Sequence, residues 1–242
     1  LAERTRESLK VASVVGMRFS EPLLSSVVNR SVHAELSESM KAGLTFVNSY
    51  AELEHIFSHM LIRDVAYDSL LSERRRELHR EIGEHLERMN TGGGSEPFLA
   101  EHFLKGEVWE KAVEYSIKAG ELASEEYRNG QALDHFRTAE SVLEEHMVEK
   151  KETLARCCLL CGNVLDRVGS YEPALEYYGR TVAASRTPEL TLKALLSMAD
   201  IIFNQGNLNE SMELITEVEA LAEQSEDDHM DIRTHAEAFK AW

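Results

Sequence analysis

The chain has 242 residues, 43% apolar and 29% charged, which is enough to bury a core and excludes an intrinsically disordered composition. Its net charge of −17 is unevenly held: residues 1–95 carry 12 Lys/Arg against 14 Asp/Glu, whereas residues 96–242 carry 14 against 29. The acidic half repels nucleic acid and anionic membrane and suits either plain solubility or a basic partner; no apolar run approaches the ~20 residues of a membrane span and no leader pattern is present, so a cytoplasmic location is expected.

The first helix is expected over Arg4–Val15, with Leu9, Val11, Ala12, Val14 and Val15 on its apolar side. The chain begins inside this pattern with Leu1 rather than Met, which reads as a cut within a longer protein. Ser20 is placed as an N-cap with Pro22 in the first turn of a short helix through Leu23, Leu24, Val27 and Val28. A third helix runs from about Val32 to Ala42 and ends at Gly43 as the C′ residue. Leu44–Ser49 and Glu54–Ser58 then form a hairpin around the polar corner Ser49–Glu52.

Three short helices followed by a hairpin are the order of a winged-helix-like domain. In DNA-binding members of that architecture the third helix reads base edges. Here that helix offers Glu35 and Glu38 against a single Lys41, with no Arg, Asn or Gln suited to the task. A packing or interdomain role is expected, and a DNA-binding regulator is the alternative.

The stretch Glu54–Glu87 is the hinge of the sequence. Apolar residues at Ile56, Phe57, Met60, Leu61, Val65, Ala66, Leu70 and Leu71, then Leu78, Ile82 and Leu86 after the charged break Glu73–Arg76, describe two amphipathic helices. The loop at Gly92–Gly94 is followed by no Lys-Ser/Thr and is no phosphate cradle. The expected division is 1–72 for the winged-helix-like domain, 73–107 for a connecting, degenerate helical hairpin, and 108–242 for helical repeats.

Within that last part the sequence resembles itself. Cys161, Gly162, Leu165, Gly169, Tyr171, Ala174 and Tyr178 match Met198, Ala199, Ile202, Gly206, Leu208, Ser211 and Ile215, and an earlier unit supplies Gly120, Ala123, Tyr127, Ala132, Phe136 and Ala139. Small residues at Gly120, Gly162 and Ala199 allow close helix approach, and Gly169 and Gly206 permit a tight turn. This pattern resembles the tetratricopeptide repeat, although the units start at intervals of 42 and 37 residues instead of about 34. Ile82, Gly83 and Leu86 followed by Leu99, Ala100 and Phe103 look like a degenerate opening hairpin. His229–Trp242 looks like the first helix of a further repeat, cut short. The fold expected is mostly α, a winged-helix-like domain leading into an α-solenoid of tetratricopeptide-like hairpins.

A second resemblance is carried by Phe57, His59, Leu61, Ile62, Val65, Ala66, Tyr67, Leu70, Leu71, Arg75 and His79, continuing through Leu99, Ala100, His102, Phe103, Ala112, Tyr115, Ala119 and Gly120. These residues are similar to a segment of STAND-type signalling ATPases, including class III adenylate and guanylate cyclase-associated proteins and transcriptional regulators. The resemblance implies a regulatory segment in which the repeats sense or dock, and the winged-helix-like part couples that event to an upstream nucleotide-binding domain. No GxxxxGK[ST] occurs, so an ATPase or cyclase would lie before Leu1.

No catalytic constellation stands out, and neither a cofactor nor a metal is expected. His55 and His59 are expected on a strand and at a helix start, His79 and His85 are six apart on one helix, and no HExxH occurs. His59, Tyr67 and His79 are expected to be structural, the two histidines making hydrogen bonds where the first domain meets the first hairpin. Cys157, Cys158 and Cys161 share one helix and read as small apolar filler in a reducing compartment. In a repeat superhelix the first helix of each pair lines the concave face, which makes Arg128, Asn129, Asn163, Asp166, Arg167, Asp200, Asn204 and Gln205 the candidates for holding a protein or peptide partner. The function expected is protein–protein interaction and regulation within a larger ATP-dependent signalling protein; a free-standing repeat adaptor is the further alternative.

Overall fold

The computed structural model describes residues 1–49, 53–89, 94–224 and 234. The expected corner at 50–52, Gly92 and Gly93 of the glycine loop, and the truncated repeat at His229–Trp242, Thr234 apart, lie outside the described residues. The chain divides into two compact units, residues 1–112 and 113–242.

The first unit begins with α1 (Glu3–Val15), β1 (Arg18–Ser20), α2 (Glu21–Val27), α3 (His33–Lys41), β2 (Thr45–Ser49) and β3 (Glu54–Phe57). Ser20 caps α2 as expected, its Oγ accepting from the Leu23 amide at 3.3 Å, with Pro22 in the first turn. Gly43 follows α3 at φ +72°, a conformation that a side chain disfavours. The strands form an antiparallel sheet in the order β1-β3-β2, with Phe19 opposite His55 and Phe46 opposite Ile56. Val47 pairs with His55 and Ser49 with Glu54, so Asn48 is the extra residue of a bulge. The order is helix, strand, two helices and a hairpin, with β1 closing the edge of the sheet beside β3.

One apolar core joins these elements. Leu9, Val11, Ala12 and Val14 of α1 meet Phe19, Leu23, Leu24, Val27, Val32, Leu36 and Phe57. Leu78 and Ile82 of α5 (Ser72–Met89) complete it, so this long helix packs with the first unit. The acidic side chains of α3 are used inside the protein. Glu35 pairs with Arg30, while Glu38 accepts from the Thr5 hydroxyl and, at 2.9 Å, from the Ala2 amide, clamping α3 onto α1. These bonds hold the Glu38 carboxyl below its ordinary range.

α4 (Met60–Asp68) differs from its neighbours: none of its residues is fully buried, and Met60, Leu61 and Val65 are 69, 72 and 62% exposed. Only Ile62 and Tyr67, with Leu70 just beyond, rest against the core. α5 then pairs with α6 (Glu96–Lys105), where Gly83 faces the Phe103 ring.

The unit boundary falls within α7 (Trp109–Glu125), after Ala112. The second unit continues through α8 (Asn129–His146), α9 (Lys151–Arg167), α10 (Tyr171–Ala184), α11 (Pro188–Asn204) and α12 (Leu208–Gln224). It is an α-solenoid of tetratricopeptide-like hairpins: α9 packs on α10 and α11 on α12, while α8 lies against α9 and α10 against α11. Within each hairpin a small residue meets a large one. Gly120 faces Phe136 and Gly162 faces Tyr178, while Ala199 and Ile215 are buried in a single cluster. Ala132, Ala174 and Ser211 are buried on the second helices, and the Ser211 hydroxyl donates to the Ala199 carbonyl at 2.9 Å. The turns close on left-handed residues, Gly169 at φ +77° and Gly206 at φ +87°. Tyr127 occupies the same position of the α7–α8 turn at φ +59°, where a side chain costs about 1–2 kcal/mol. Tyr171 opens α10 and is partly exposed.

A Cβ at Gly162 would sit 2.6 Å from the Tyr178 ring, which is buried and has no room to retreat. Gly162→Ala should therefore cost about 1–3 kcal/mol in urea denaturation followed by circular dichroism. Gly179→Ala, on α10 with open space around it, should instead stabilise the second unit by up to about 1 kcal/mol.

Candidate binding face on the repeat helices

One buried phenol, Tyr178, is the reference point for the candidates on α9 and α11. Tyr178 points from α10 into its hairpin, and its hydroxyl donates to Asn163 Oδ1 at 3.0 Å. Burial pushes this phenol up to about 12; a hydrogen bond with Ser197 opposes the shift, and the charges of Asp166 and Asp200 add to it. Partial burial raises the Asp166 carboxyl as well. Asn163 thus meets the Tyr178 hydroxyl directly, Ser197 also bonds it, and the carboxylates of Asp166 and Asp200 act on it through their charge. The result is an acidic surface with fixed hydrogen-bonding groups, suited to N–H donors and cations.

The remaining candidates are placed differently. Arg167 is turned back onto the preceding hairpin, donating to the Ser124 carbonyl at 2.9 Å and the Ser124 hydroxyl at 3.0 Å, with its guanidinium 6.0 Å from the Tyr127 ring centre. Arg128 pairs with Glu126 and donates to Gln131, and Asn129 opens α8 with its Oδ1 buried and unpartnered. Asn204 and Gln205 are exposed at the C-terminal end of α11. In the first unit, the Tyr67 hydroxyl is hydrogen-bonded to His79 Nε2 at 3.0 Å, whereas His59 is exposed at the N-cap of α4.

A polar network between α8 and α10 escaped the sequence reading. Glu140, almost fully buried, pairs with Arg180 and accepts from the Tyr177 hydroxyl at 3.2 Å, and Arg180 also reaches Glu144 at 2.8 Å. The available signal was a carboxylate four residues after Phe136 on the apolar stripe of α8.

Cys157, Cys158 and Cys161 are buried, and the Cys157 thiol donates to the Phe136 carbonyl at 3.0 Å. Burial pushes Cys158 up to about 12, and Cys157 is raised by its contact with Cys161 and by burial. Among the described residues no group of three His, Cys, Asp or Glu side chains is arranged to hold a metal ion, and no helix is long and apolar enough to cross a membrane.

No protein-family model matches this chain, and no curated protein matches it. Among solved structures it is similar to a Signal Transduction ATPase with Numerous Domains (STAND) protein with a tetratricopeptide repeat sensor from Pyrococcus horikoshii. The identity is 12% and the TM-score 0.35, with 99% of this chain and 45% of that one covered. This chain therefore spans less than half the length of that structure.

Reaction with a thiol-specific reagent tests the environment of the cysteines. At pH 8 the native protein should react negligibly, because the thiolate is the reactive form, and the denatured chain should titrate three thiols. Rapid labelling of the native protein would contradict the packing of α9.

Proposed function

We propose that this chain is a protein-interaction and regulatory module of a larger ATP-dependent signalling protein, with no catalysis of its own. The observation that carries the reading is the Tyr178–Asn163 hydrogen bond on the α9–α10 hairpin, with the charges of Asp166 on α9 and Asp200 on α11 acting on the same phenol. Such a face suits an extended peptide bearing Lys or Arg: amide groups hold backbone, and carboxylates hold the side chains. The excess of acidic residues after residue 96 favours the encounter with such a partner. In the first unit, the use of Glu35 and Glu38 as internal ties of α3 favours coupling over DNA reading. An upstream nucleotide-binding domain in a cytoplasmic parent protein is the proposed intramolecular partner of that unit, on the strength of the motif resemblance.

Selection of a displayed library of random peptides against the chain tests this. Binders should be enriched in Lys and Arg, and their affinity should fall as salt rises. Asp166→Lys with Asp200→Lys should weaken them by about tenfold or more, while Glu210→Lys on α12 should leave them within about twofold. Absence of binders, or binders indifferent to the paired substitution, would defeat the assignment of this face. Salt-sensitive binding of labelled duplex DNA would move the function to the first unit.

A further inference from the structure

Tyr67, His79 and His102 form a hydrogen-bond chain through the first unit. The Tyr67 hydroxyl meets His79 Nε2 at 3.0 Å, and His79 Nδ1 meets His102 Nδ1 at 3.0 Å. The His102 ring also bonds the Val15 carbonyl. A carbonyl can only accept, so His102 Nε2 carries a proton and its Nδ1 is left as acceptor. It follows that His79 donates from Nδ1 and accepts from Tyr67 at Nε2. Every ring nitrogen is used with both histidines neutral, and the chain ties α4, α5 and α6 to the end of α1.

This tie matters most for α4, which has no fully buried side chain. Besides the Tyr67 hydroxyl, its polar attachments are Arg63 Nε donating to the Ser13 carbonyl at 3.1 Å and Asp68 facing Arg75 at 3.5 Å. The outer side of the same helix exposes Met60, Leu61 and Val65.

We propose that the Tyr67–His79–His102 chain is an acid-sensitive latch, which holds α4 and α6 on the first unit while both rings are neutral and releases them when the rings take up protons. A proton on His79 Nε2 reverses the Tyr67 bond, and one on His102 Nδ1 reverses both links. A second would set two N–H groups against each other across 3.0 Å, on two cationic rings whose centres are 5.0 Å apart. The surroundings resist even the first. Arg63 and Arg75 lie over Tyr67, each 5.1 Å from its ring centre, and Lys105 of α6 adds a third cation against Glu101. On the side of β1 and β3, Arg18 and Glu54 line a cavity of about 250 Å³ that His102 also borders.

Burial, with His102, Lys105, Arg63 and Arg75 adding to it, lowers His79 to about 3. Burial also lowers His102 to about 4, Lys105 assisting while Glu101 and the Val15 carbonyl oppose. Both values are depressed in the closed form, so the closed form binds fewer protons than an open one. The latch is therefore at full strength above the ordinary histidine value of ~6.5 and weakens as pH falls toward 4. At pH 5 the opening equilibrium gains about thirtyfold per histidine, about a thousandfold for the pair. Release frees the helix that carries the exposed apolar side chains, and so changes what the first unit offers to a neighbouring domain.

Amide hydrogen exchange on the full chain at pH 7.5 and 5.0, corrected for intrinsic rates, tests the latch. Protection in α4 and α6 should fall by two to three orders of magnitude more than in α9, and His79→Gln with His102→Gln should remove that difference. Equal losses in all three helices, or an unchanged difference in the folded variant, would overturn the proposal. If the variant does not fold, histidine ring titration by NMR on the unaltered protein decides. Rings still neutral at pH 5.5 uphold the latch, and rings titrating near 6.5 sink it.

Discussion

The architecture depends on how closely paired helices can approach. Wherever two helices form a hairpin, a residue with little or no side chain on the first faces a large side chain on the second: Gly83 with Phe103, Gly120 with Phe136, Gly162 with Tyr178, and Ala199 buried in one cluster with Ile215. The missing Cβ lets one side of an aromatic ring reach the helix backbone, where dispersion contacts are densest. The same rule operates in the α5–α6 pair of the first unit, so the repeat logic begins before the unit boundary. It also places the candidate site. Tyr178 fills the hairpin with its ring, and its buried hydroxyl donates to Asn163. A packing residue thus orients the polar face above it.

The first unit is held by different means. Its sheet is small and centred on β3, and its helices are joined by one apolar core together with specific polar ties. Glu38 binds α3 to the start of α1, Arg30 links Glu35 to Ser8 at 3.0 Å, and the tyrosine–histidine chain fastens α4. Polar ties of this kind depend on protonation and geometry in a way that apolar burial does not.

The repeat hairpins were legible because their signal is local: spacing of small and large residues along a helix fixes the pairing with its neighbour. The caps at Ser20 and Gly43 were legible for the same reason. β1 was missed because three residues carry no periodicity and its partner lies 36 positions away, at His55 opposite Phe19. Among the candidate residues, the sequence could place Asn163, Asp166 and Asp200 on first helices, and the structure adds Ser197 and the Tyr178 hydroxyl. Arg167 read as free, yet it is engaged with Ser124 across two hairpins, because contacts between neighbouring repeats leave no trace in one helix's pattern. The histidines divide on burial alone. His79 and His59 both belong to the motif, but only His79 lies on the core side of its helix.

The distances between locking residues along the chain set an order of assembly. Gly162 meets Tyr178, and Gly120 meets Phe136, only 16 positions on, so each hairpin closes through a short loop at small entropic cost. Phe19 finds His55 only after a loop more than twice as long has closed, and the reward is a three-residue strand. Hairpins should consequently form in the fastest steps of folding, with the sheet waiting on long-range closure. In a chain emerging from the ribosome N-terminus first, the part made earliest is then the part that settles last.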